Sequence, residues 1–118
     1  MKILKTDVEN LEEEIVLLYK LTKGSSTSAS KLSDEELDAT YPVDAFVLYE
    51  DVNRKGEDVK ILAILSGDRV ITAQSETFQR SFFDIVDIVK NHSFSIKVTD
   101  GKTKSDRRFM NCELAAIA

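Results

Sequence analysis

The chain has 118 residues, 42% of them hydrophobic and 31% charged, with a formal net charge of −5. That length suits a single domain and that composition supports a folded core, which excludes two independent cores and a disordered chain. No apolar run approaches the roughly 18 residues of a transmembrane helix, and Met1-Lys2-Ile3-Leu4-Lys5 lacks the apolar stretch of a signal peptide, so the expected location is the cytoplasm, away from membranes.

From about Asp7 to Leu21, Val8, Leu11, Ile15 and Leu18 recur at helical spacing behind Asp7 as N-cap, which predicts an N-terminal helix. Ile15 to Tyr19 is also compatible with a short strand. Gly24 to Ser30 holds no large apolar residue and reads as a mobile loop, either a linker or a binding loop. Ser33 and Glu36 form a capping-box pattern opening a short helix through Leu37, and Pro42 marks the turn into extended chain.

From Ala45 the pattern is β-prone. Phe46 to Tyr49 and Val59 to Leu65 flank the charged tip Asn53-Arg54-Lys55-Gly56-Glu57, and Ser66-Gly67-Asp68 turns the chain into a third strand, Val70 to Ala73. Ser75 then caps a helix whose apolar stripe is Phe78, Phe82, Ile85 and Val89. Beyond it Phe94, Ile96 and Val98 alternate with polar residues as a half-buried strand, paired with a last strand from about Arg107 to Ala116.

The expected fold is therefore mainly β within the α+β class. It is a five-stranded oligonucleotide/oligosaccharide-binding (OB-fold) barrel over residues 43–118, with its helix between the third and fourth strands, after a helical and loop extension over residues 1–42.

Charge and aromatic placement suggest what such a barrel would hold. The acidic balance argues against nucleic-acid binding over the whole surface. Yet Lys97 to Arg108 carries five basic and two acidic residues, whereas Asp7 to Glu14 carries five acidic residues and no basic one. In the last strand Met110, Cys112 and Leu114 make the core face, leaving Phe109 outward beside Arg107. A ring among cations suits single-strand binding, because rings stack on any base while cations follow the phosphates; its plainer reading is a covered edge or a dimer contact. The candidate site is Phe109 and Tyr49 as stacking rings, with Arg54, Lys55, Lys60, Lys97, Lys102, Lys104, Arg107 and Arg108 as phosphate contacts; Tyr49 equally suits a half-buried strand position whose hydroxyl reaches water.

Catalysis has no matching constellation. His92, the only histidine, sits near a helix end and reads as a C-cap residue, and Cys112, the only cysteine, forms neither a disulfide nor a thiolate metal cluster. Without a Gly-rich phosphate loop or nucleophile elbow, a non-enzymatic protein with no cofactor and no metal is expected.

Val47-Leu48-Tyr49-Glu50-Asp51, Lys55-Gly56-Glu57, Ser75-Glu76-Thr77-Phe78 with Phe82 or Phe83, and Gly101-Lys102-Thr103-Lys104 leading to Arg108-Phe109 and Cys112 together resemble a known family, over roughly Tyr19 to Leu114. It is the family of small single-stranded DNA-binding proteins of lactococcal and related Gram-positive bacteriophages. The resemblance implies an OB-fold that coats and protects single-stranded DNA in phage replication and recombination, without sequence preference. It also implies a homodimer or larger assembly working beside phage replication and recombination proteins. Thr103 and Asp106 depart from the family's loop pattern, and Asp106 dilutes its positive charge. The alternative class is a protein–protein adaptor or inhibitor on an OB-like scaffold, using the acidic face.

Overall fold

The computed structural model describes residues 1–102 and 108–117. Among these residues eight strands and three helices follow in the order β1 (Lys2–Thr6), α1 (Ile15–Thr22), β2 (Thr27–Ser28), α2 (Asp34–Leu37), β3 (Thr40–Pro42), β4 (Ala45–Val52), β5 (Asp58–Ser66), β6 (Arg69–Ala73), α3 (Glu76–Val89), β7 (Phe94–Lys102) and β8 (Arg108–Ile117), with 3-10 turns at Leu11–Glu13 and Ala29–Lys31. The strands form two sheets, ordered β1-β4-β5-β6-β2 and β3-β7-β8. The succession of three strands, a helix and two strands matches the expectation from Ala45 onward, and the fold is a strand-dominated α+β domain. The two sheets do not close into a barrel.

The layers follow from alternation along β4 and β5. Even positions Phe46 and Leu48 face α3 and the inner side of the β3-β7-β8 sheet, while odd positions Val47 and Tyr49 face α1. Both faces of the central strands are thus covered, and Ala45 to Tyr49 is an unbroken buried run. On the first side Phe78, Phe82, Ile85 and Val89 of α3 meet Ile96, Val98, Met110 and Cys112. Ser75 caps α3 by accepting a hydrogen bond from the Phe78 amide, as its sequence position predicts. Phe46 and Phe82 pack edge to face with centroids 5.1 Å apart, and Gln79 donates from Nε2 to the carbonyls of Lys60 and Ala73, tying β5 and β6 together.

One strand path joins the two sheets. At Val43 the backbone amide donates to the Phe94 carbonyl on β7, and at Asp44 it donates to the Leu65 carbonyl on β5, so the chain from β3 into β4 changes sheets there. The opposite seam stays open. β6 and β8 do not pair, because β2 runs parallel to β6 and the turn Ala29–Lys31 stands between them. Ala29, within the segment expected to be a mobile loop, is buried in the main core, as is Leu32 just beyond it, so the end of that segment is a wedge packed between the sheets.

The N-terminal helix starts later than expected. Asp7 does not cap it; the Asp7 carboxylate accepts the Phe46 amide at 2.8 Å, while the Thr6 hydroxyl donates to the Phe46 carbonyl at 2.7 Å. These bonds extend the β1–β4 ladder, and the helix begins only at Ile15. Ser33 and Glu36 form the capping box in both directions. His92 is not the C-cap of α3: that position is Lys90, at a φ of 53°, and the His92 amide donates to the Val89 carbonyl. Leu114, expected in the core, is exposed although it stands opposite the buried Ile96, at the last regular pair before the β7–β8 register shifts.

Candidate nucleic-acid interface

The outer face of the β3-β7-β8 sheet brings part of the predicted site together. Register pairs Lys97 with Thr40 on one side and Glu113 on the other, then Thr99 with Asn111 and Gly101 with Phe109. Successive pairs two residues apart share one face, so Lys97, Thr99, Phe109 and Asn111 form a row. Phe109 is 37% exposed, the outward ring that its alternation with Met110 predicts. Its far edge lies over Gly101, where an added Cβ would stand 2.6 Å from Phe109 Cζ. The missing side chain at Gly101 is what lets the ring settle onto the sheet.

Phe109 also borders a cleft of about 460 Å³ at the open seam. Ser28 and Ser30 form one wall, Thr72, Gln74 and Ser75 another, and Ala29, Ala73 and Met110 supply apolar surface. Sequence reasoning missed this cleft because Gly24 to Ser30 gives no strand or turn signal strong enough to be placed against β6 and β8.

Other predicted residues lie elsewhere. Tyr49 is 3% exposed beneath α1, and its hydroxyl donates to the Thr22 carbonyl at 3.3 Å. Burial of the ring pushes its phenol pKa up. Tyr49 is therefore a core residue that offers no face to a base, which corrects its assignment as a stacking ring. Lys60 lines a groove of about 840 Å³ between α3 and the ends of β1, β4 and β5, with five carboxylates and only two other cations, Lys5 and Arg80. The excess of carboxylates there makes it a poor setting for phosphate. Arg54 and Lys55 are exposed on the β4–β5 tip, which Asn53 shapes by accepting the Lys55 and Glu57 amides, and they line none of these clefts. Lys104 and Arg107 lie outside the described residues, as do the side chains of Lys102 and Arg108.

Comparison with known proteins adds no relative. No family model, curated protein or solved structure matches this chain. Among the described residues no three His, Cys, Asp or Glu side chains are grouped to hold a metal ion. Cys112 is buried, and desolvation pushes its thiol up to about 12, so it stays protonated at neutral pH. No helix among the described residues is long and apolar enough to cross a membrane.

Proposed function

We propose that the protein binds single-stranded DNA without sequence preference, across the outer face of β7 and β8 with Phe109 at its centre. The observation that carries this reading is the exposed Phe109 ring seated on Gly101, in line with Lys97 and at the base of the Lys-rich β7–β8 hairpin. Rings of this kind stack on any base, and a basic loop beside them follows the phosphates. The sequence resemblance to phage single-stranded DNA-binding proteins points the same way, as does the strand order, which reads as an OB-type barrel opened along the β6–β8 seam. In that reading the surface of the β4-β5-β6 meander, a common nucleic-acid face of such barrels, is given over to α1, and binding shifts to β7 and β8.

Coating a strand in phage replication and recombination calls for neighbouring copies. The open edge of β8, with Leu114 and Ile117 exposed, suits pairing with a second copy as a homodimer. A second reading, a protein–protein adaptor, is favoured by one feature: Ile15, Val16 and Tyr19 stand 74%, 81% and 63% exposed on α1 beside Glu12, Glu13 and Glu14.

The experiment is a fluorescence-anisotropy titration of labelled oligo-dT and of a duplex at two salt concentrations. Tighter, salt-sensitive binding to the single strand supports the proposal. No binding at low salt sinks it and leaves the adaptor reading, with α1 as the face to probe.

A further inference from the structure

The seam cleft differs from the rest of the surface in one chemical respect. Among the described residues, none of those lining it is charged, in a chain with 31% charged residues. Its polar groups are hydroxyls and one carboxamide, and the Gln74 and Thr72 side chains hydrogen-bond to no described residue. Its apolar part includes Ala29, Ala73 and Met110, with Phe109 at its border. Uncharged hydrogen-bonding groups beside an aromatic ring fit a flat, neutral, polar heterocycle far better than a phosphate.

We infer that this cleft receives one nucleobase of the bound strand, turned in from the β7–β8 face and stacked on Phe109, with Gln74 and Thr72 meeting its polar edge. The inference rests on the single-strand reading above and assigns it a subsite. A volume of about 460 Å³ lies within the range of small-molecule pockets, about 300 to 1,000 Å³, and leaves room for a nucleobase. Gln74 presents both a donor and an acceptor, so its carboxamide meets the edge of a purine or a pyrimidine alike, in keeping with binding that tolerates any sequence. Because Phe109 serves both the sheet face and the cleft, the strand is held at the point where it bends into the seam. The Ser28 and Ser30 hydroxyls, 3.0 Å apart, close the far wall.

The test is photocrosslinking of the full chain to oligo-dT carrying 5-iodouracil at single positions, with adducts located by mass spectrometry. Two variants accompany it: Ser30→Trp, which fills the cleft from an exposed turn position, and Gln74→Leu, which removes the carboxamide without filling it. The expected result is adducts at Phe109 or Met110, lost in Ser30→Trp, and affinity for oligo-dT reduced about tenfold in that variant and less in Gln74→Leu. Unchanged affinity in both variants, or adducts confined to other surfaces of a protein that binds the oligonucleotide, overturns the cleft assignment while the single-strand reading stands. Absence of oligonucleotide binding by the unmodified chain overturns both, and leaves an apolar side chain of a protein partner as the occupant.

Discussion

Phe109 and Gly101 act as a pair. A ring left exposed on a sheet loses apolar burial, and placing its far edge over a residue without a Cβ recovers part of that loss while keeping one side of the ring open. Phe109→Ala is expected to weaken oligo-dT binding by about 1 to 3 kcal/mol, the worth of one stacked base, with little change in melting temperature. Gly101→Ala separates position from presence. The group it would strike is the tip of a side chain able to swing away, so the fold is expected to persist while the ring is displaced and affinity falls in the same direction. Wild-type affinity for Gly101→Ala, read by the same anisotropy titration, would show that the ring's seat does not matter.

Among the elements, α1 and the β2 segment decide which surfaces are open. α1 covers the odd-numbered face of β4 and β5 through Leu21 packed with Val47, Tyr49 and Ala63, and Lys23 beyond its end binds Asp51 at 2.7 Å. Tyr49 belongs to this lock. Tyr49→Phe is expected to lose only the hydroxyl's bond to the Thr22 carbonyl, about 0.5 to 1.5 kcal/mol of stability, visible as a lower denaturation midpoint with DNA affinity unchanged. A fall in affinity without loss of stability would return Tyr49 to the site.

Elements with strong local signals were legible in the chain itself. α3 carries an apolar stripe behind a Ser cap, α2 a capping box, and β4 through β6 are β-prone runs separated by glycine turns. Elements defined by distant partners were not. β1 is five residues whose pairing with β4 is completed by the Thr6 and Asp7 side chains, and β2 is two residues placed by β6. Phe109 was readable from alternation with Met110. The buried state of Tyr49 was not, because a tyrosine on a strand looks the same whether a helix or solvent covers it.

Over the whole molecule, charge sets the response to pH and salt. Backbone and Arg69 hydrogen bonds hold the Glu36 carboxyl below its usual range, and the Lys23 bond does the same for Asp51. Each carboxylate then contributes stability above its unfolded value, 4.5 for Glu36 and 3.8 for Asp51, and that contribution is lost as pH falls through the lowered folded value. Asp7 acts in the opposite sense: burial raises its pKa, so acidification just above 3.8 favours the fold at that site. The melting temperature is expected to drop below about pH 4, and the Glu36→Gln, Asp51→Asn double variant should start lower at neutral pH but fall less steeply. Parallel curves would mean that these two groups do not govern acid stability.

Salt reports the other half. The net charge of −5 sets a general repulsion from DNA, so binding must come from a local surface and weaken as salt rises. Lys97→Ala is expected to lower the slope of log affinity against log salt by about 0.7, one phosphate contact on a single strand. An unchanged slope would remove Lys97 from the phosphate path.

The most direct test of where the strand lies is an amide chemical-shift titration of the 15N-labelled protein with oligo-dT. The prediction is shifts concentrated at residues 97–101, 109–112, 28–30 and 72–75, with α1 and the tip at 53–57 unmoved. Shifts centred on α1, or on the acidic groove beside α3 with Phe109 silent, would contradict a strand-binding face built on β7 and β8.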